Sequence, residues 1–155
     1  MLAMTYNPTS TINVLLADDD KDDRYFFERA LKDIGHSTNL TAVSDGGRLM
    51  DYLSENKGGP PDVIFIDLNM PCKNGMECLS EIKHNKGLKE IPVIIYSTSV
   101  REEVADTLYK RGAHYYLQKC NFIDLANSIE GVLTLLAQNS EQPPREQFII
   151  NEKEY

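Results

Sequence analysis

Asp18, Asp19 and Asp20 stand in a row directly after the apolar run NVLLA (13–17), and Asp67 ends a second run, VIFI (63–66), that no charge interrupts. A carboxylate at the end of a strand-like run is, taken alone, a turn former or a helix cap. Gathered into one crevice, such acids repel one another strongly unless a cation joins them or their pKa values rise. A hard divalent ion with oxygen ligands, Mg²⁺ above all, relieves that repulsion while keeping several of its own waters. Two more run ends carry complementary groups: Ser97 closes IPVIIY (91–96) with a hydroxyl, and Lys119 follows HYYLQ (114–118) with an ammonium on a long stem. Carboxylate, cation, hydroxyl and ammonium together suit a phosphoryl group. Asp67 can attack as the nucleophile and form an aspartyl phosphate, Mg²⁺ and Lys119 can hold the equatorial oxygens, and Ser97 can hydrogen-bond one of them.

That chemistry requires the run ends to meet. Five short β-rich runs (13–17, 40–43, 63–67, 91–97 and 114–118) alternate with helical apolar periodicity. Phe27, Ala30, Leu31 and Ile34 mark the first helix, with Gly35 placed for a left-handed stop; Asp45 can cap a second that carries Leu49 and Leu53. Met76, Leu79 and Ile82 mark a third, and Val104 and Leu108 a fourth that Gly112 ends. Phe122, Leu125, Ile129, Val132, Leu133 and Leu136 keep one face of a fifth apolar. Nearly continuous hydrophobic strands alternating with helices imply an α/β fold, a doubly wound five-stranded parallel sheet covered on both faces. Its expected order is the flavodoxin-like 2-1-3-4-5, in which ligands sit at the carboxyl ends of strands 1 and 3. Those ends are Asp18 to Asp20 and Asp67.

Composition narrows the function. A net charge of -8 with no basic run argues against nucleic acid as a partner. No apolar run approaches the ~20 residues of a membrane span, and the N-terminus lacks the pattern of a secretory signal. Three cysteines without CxxC spacing suggest neither a disulfide framework nor a zinc site. A reduced, cytoplasmic protein is expected. His36, His84 and His114 are not spaced as a metal or relay set, and structural roles are expected for them.

From about residue 12 to 138 the chain resembles the receiver domain of two-component response regulators, the CheY-like fold. The resemblance is carried by DDD after the first strand, DLNMP followed by NG after the third, IPVIIYS on the fourth and GAHYYLQK into the last helix. It implies that Asp67 accepts a phosphoryl group from a histidine kinase, and that Asp18 and Asp19 hold Mg²⁺ together with Asp67 and the backbone carbonyl of Asn69. It further implies that Ser97 is the switch hydroxyl, Lys119 the phosphate-binding lysine and Tyr116 the switch aromatic, which swings inward after phosphorylation. Two positions depart from the pattern: Cys120 stands where the family usually has a proline, and Cys72 is unusual in the loop after Asp67.

The expected organisation is an N-terminal extension (1–11), a receiver domain (12–138) and a polar C-terminal tail (139–155) with no output domain. Signalling would then run through a downstream protein target, a homodimer or a phosphotransfer protein, with self-catalysed phosphorylation and dephosphorylation and no enzymatic turnover. The alternatives are a phosphorelay intermediate and a haloacid-dehalogenase-like Mg²⁺-dependent phosphohydrolase. That enzyme family wants Asp-x-Asp followed by Thr or Val, and Asp18-Asp19-Asp20-Lys21-Asp22 fails at the last place.

Overall fold

Burial on both faces explains why the central runs show no polar alternation: every residue of β3 (Val63–Asp67) and β4 (Val93–Ser97) is buried. The computed structural model describes residues 10–55, 58–119 and 122–150, without the side chains of 122 and 123. Strands β1 (Ile12–Ala17), β2 (Thr38–Val43) and β5 (Tyr115–Gln118) flank the central pair in one parallel sheet. Helices α1 (Lys21–Lys32), α2 (Gly46–Glu55), α3 (Gly75–His84), α4 (Glu102–Lys110) and α5 (Phe122–Gln138) make the crossovers.

Alternate strand residues feed two cores. Leu15, Ala17, Ile64, Ile66, Val93, Ile95 and Tyr116 pack under α2, α3 and α4. Val14, Leu16, Val63, Phe65, Ile94, Tyr96, Tyr115 and Leu117 pack under α1 and α5. Tyr115 and Tyr116 therefore point to opposite faces, as the period of two in a strand requires.

Local chemistry sets the helix ends. Asp20 caps α1 by accepting from the N–H groups of Asp22 and Asp23, and Asn74 caps α3 in a reciprocal box with Glu77. Asp45 accepts from the N–H of Arg48 at 2.8 Å at the start of α2. Gly112, at φ +100°, ends α4 in the left-handed region that only glycine enters freely. Gly35 does not do the same for α1. That helix stops earlier, at a right-handed Asp33 whose N–H bonds to the Ala30 carbonyl, and the Gly35 N–H is taken instead by the Glu130 carboxylate at 3.1 Å.

The larger correction concerns the sheet, which has six strands in the order 2-1-3-4-5-6. Residues after α5 return across α4, form a 3₁₀ turn (Arg145–Gln147) and add β6 (Ile149–Ile150) parallel to β5. Without β6, β5 would be an edge strand with unpaired backbone groups. The Tyr116 N–H donates to the Phe148 carbonyl at 3.0 Å, and the Phe148 ring is fully buried. Polarity in NSEQPPREQ suggested a tail, but side chains tie the segment down. Gln142 donates to the carbonyls of Tyr109 and Ala113 at 2.7 Å, the Tyr109 hydroxyl donates to the Pro143 carbonyl at 2.6 Å, and Arg145 pairs with Glu102 and Asp106 at 2.9 Å. Among the described residues no helix is long and apolar enough to cross a membrane.

Candidate functional site

Register places the acids. Ala17 of β1 lies opposite Ile66 of β3, so Asp18 follows the last residue of its strand just where Asp67 ends the neighbouring one. Asp18 is fully buried, Asp67 is 7% exposed, and Asp19 is exposed at the rim. Each of the three offers a carboxylate oxygen, and those atoms all lie within 4.8 Å of one another. Among the described residues this is the one cluster with metal-ligating character. Its donors are all oxygen, which fits a hard divalent cation and not a soft one. The strand ends do bring Asp18 and Asp19 beside Asp67.

Lys119 enters from the far side of the sheet. Its Nζ lies 2.8 Å from Asp18 Oδ2, 2.8 Å from Asp23 Oδ2 and 3.5 Å from Asp67 Oδ2. The ammonium also sits 5.0 Å from the centre of the Tyr96 ring. Burial works against its charge, but the hydrogen bonds to Asp18 and Asp23 outweigh that and hold the lysine above its ordinary pKa. Cys120, the departure at the next position, lies outside the described residues.

Burial pushes the Asp67 carboxyl up to about 7; Lys119 opposes this, Asp18 reinforces it, and the Asn69 N–H, 3.3 Å from Asp67 Oδ1, opposes it again. One cation is therefore too little for this pocket. Asp18 and Asp67 are both buried, and Lys119 is closer to Asp18. A second positive charge between them would keep Asp67 ionised at neutral pH.

Ser97 is 1% exposed, one residue beyond Tyr96, the register partner of Asp67 on β4. Its carbonyl accepts from the Lys119 N–H at 2.7 Å, tying the ends of β4 and β5 together. Tyr116 is only 1% exposed, its hydroxyl donating to the Ser99 carbonyl at 3.0 Å and its ring meeting Phe148 edge-on at 6.2 Å. Phe148, from the segment that leads into β6, packs against this ring, so Tyr116 is enclosed in the structure.

Three contributors went unrecognised in the sequence: Asp23, which holds Lys119; Tyr96, which lies beneath it; and Arg24, whose Nη1 donates to the Asp18 carbonyl at 2.8 Å. In the sequence Asp23 is one more acid in the first turn of a helix. Cys72 holds a left-handed backbone at φ 68° and is exposed; His114 is buried, its Nε2 2.8 Å from the Ser140 carbonyl.

Gly75 shapes the turn between β3 and α3. Its N–H donates to the Leu68 carbonyl at 3.0 Å, and a Cβ there would stand 2.6 Å from the Asp67 carbonyl oxygen and 2.9 Å from Leu68 Cα. Both obstacles are backbone, so Gly75→Ala must displace the end of β3. Urea titration should show a loss of about 1–3 kcal/mol. A loss below about 0.5 kcal/mol would mean that the turn accommodates a methyl group.

The chain matches the response regulator receiver domain family over residues 14–130. It is 36% identical over 131 residues to the response regulator Rcp1 of Synechocystis sp., covering 81% of this chain and 88% of that one. It is 30% identical over 123 residues to a probable methanogenesis regulatory protein, FilR2, of Methanothrix harundinacea, covering 77% of this chain and 79% of the relative. Among solved structures, the Mn²⁺-bound form of Rcp1 superposes with TM-score 0.73 at 32% identity, over 86% of this chain and 99% of the other. The phosphorylated cyanobacterial phytochrome response regulator RcpA does so with TM-score 0.76 at 29% identity, over 87% and 100%. The phosphohydrolase alternative finds no support in these likenesses. With the family's pattern spanning most of its length and a relative matched nearly end to end, the chain belongs to the response regulator receiver family.

Proposed function

We propose that this receiver takes a phosphoryl group on Asp67, in a Mg²⁺-dependent reaction, from the phosphohistidine of a histidine kinase. The observation that carries the proposal is the convergence of Asp18, Asp19, Asp67 and Lys119 at one strand-end crevice. An Asp67 carboxylate oxygen attacks phosphorus, the new P–O bond forms as the P–N bond to the donor imidazole breaks, and the imidazole leaves with the electron pair. Asp18, Asp19 and Asp67, with the Asn69 backbone carbonyl, would hold the cation, which supplies charge neutralisation for the transferred oxygens. Lys119 donates to one of those oxygens, and the Ser97 hydroxyl to another. The Mn²⁺ named for the Rcp1 structure supports a divalent ion here, and the all-oxygen donor set favours Mg²⁺.

The added charge of roughly two units would draw Ser97 toward the phosphate. The loop after β4 is tied to Tyr116 through the Ser99 carbonyl, so displacement there would reach the Tyr116–Phe148 contact and the segment lying over α4. Output then passes to a protein partner, a second copy of the chain or a phosphotransfer protein, in the cytoplasm. A relay role differs only in where the phosphoryl group goes next.

Acetyl phosphate is the direct test. With Mg²⁺, the protein should gain about one phosphoryl group per chain, mapped to the peptide that contains Asp67 and absent with EDTA; label elsewhere, or repeated turnover of a phosphomonoester, would overturn the proposal. Asp19→Asn should weaken Mg²⁺ binding roughly tenfold or more, since it removes one of three anionic ligands. Tyrosine fluorescence can follow the titration, because the chain contains no Trp. Unchanged affinity would remove Asp19 from the site.

A further inference from the structure

Lys119 has three N–H donors and three carboxylates around it. Two are at full hydrogen-bond distance, Asp18 and Asp23 at 2.8 Å; the third, Asp67, is at 3.5 Å. Asp18 has a second task, since its carboxylate also faces the cation-binding cluster. Asp23 has no such task. It is 31% exposed, reaches the ammonium from the first turn of α1, and stands outside the three-acid cluster.

The mount of Asp23 is rigid. Its own N–H is held by the Asp20 cap at 3.0 Å, and Arg24, the next residue, donates to the Asp18 carbonyl. One turn further on, Phe27 is fully buried against Phe65 and Tyr96. A lysine stem is long and rotamer-rich, and ordering it only when the phosphoryl group arrives would oppose transfer. A fixed acceptor on the side away from Asp67 orders it beforehand.

We propose that Asp23 is a positioning residue for phosphoryl transfer, holding one N–H of the Lys119 ammonium so that another is aimed at the oxygens arriving on Asp67. This rests on Asp67 being the phosphoacceptor.

The test compares Asp23→Ala with Asp22→Ala in the full chain, by the rate of acetyl phosphate labelling at saturating Mg²⁺. Asp22 is the neighbouring acid in the same helical turn and is exposed. Asp23→Ala should slow labelling roughly three- to tenfold while Asp22→Ala stays near the wild-type rate, and Asp23→Glu should recover part of the loss. In a Lys119→Met background Asp23→Ala should have no further effect, because the interaction it removes is already gone. Equal rates for the Asp22 and Asp23 variants would overturn the inference, as would faster labelling or an undiminished effect without the lysine. Wild-type protein that takes no label at all would instead overturn the assignment of Asp67.

Discussion

Asp67→Asn will abolish stoichiometric labelling by acetyl phosphate and, in the metal-free protein, will raise stability at pH 8. The first effect follows from removing the nucleophile: an amide oxygen in that place has neither the charge nor the basicity to attack phosphorus. The second follows from burial. The folded protein holds the Asp67 carboxyl at about 7 against an ordinary 3.8. Between those values the native state binds a proton that the unfolded chain has released, so stability falls as pH rises. The contribution is whole below about pH 4 and lost by the time pH has passed through about 7. The rise from 3.8 to about 7 sets an upper bound of about 4 kcal/mol, and because Lys119 gives up one attraction in the variant, a gain of about 1–3 kcal/mol is expected at pH 8. Urea midpoints with EDTA at pH 5 and pH 8 will measure it. The advantage of the variant should grow with pH and shrink when Mg²⁺ is added, since the wild type recovers through its ligand. A variant less stable than wild type at pH 8 without metal would show that the pocket is not strained by its own acids.

Phe148→Ala should cost about 3–5 kcal/mol, the range for emptying a fully buried aromatic site. The ring is 0% exposed and meets Tyr109 edge-on at 5.2 Å and Tyr116 at 6.2 Å. Collapse around the vacancy is restricted, because Gln142, Tyr109 and His114 tie the segment in front of it to the body of the domain. Arg145→Ala is the contrast. Its two ion pairs are partly solvated, and such pairs contribute about 0–1 kcal/mol even though their distances are short. Urea unfolding of both variants will rank them. A Phe148→Ala loss under about 1 kcal/mol would mean that β6 rests on β5 without supporting it.

The architecture as far as β5, and the meeting of Asp18, Asp19, Asp67 and Lys119, were legible in the sequence because both depend on local signals. Short, β-branched, uninterrupted runs such as VIFID fit doubly buried strands, and helices between them favour parallel pairing and the crossovers that bring Asp18 beside Asp67. Charges at the ends of such runs stand out against the surrounding apolar pattern. Gly35 misled for the converse reason. A glycine after an apolar period is a strong stop signal, yet α1 ends on a bond between Asp33 and Ala30, and α5 claims the Gly35 N–H through Glu130.

Alternating strands and helices leave few ways to bury so many apolar residues, so acids, a hydroxyl and an ammonium at the run ends had to come to one end of a parallel sheet. Packing in three dimensions was needed to reveal that Asp23 joins them, that β6 extends the sheet and that Tyr116 is enclosed. Asp23 and Lys119 are 96 positions apart, and Phe148 meets Tyr116 only after the chain has crossed α4. A contact between residues so distant leaves no period, spacing or cap in the chain. It exists only when the packed helices and the twisted sheet bring the two side chains within reach.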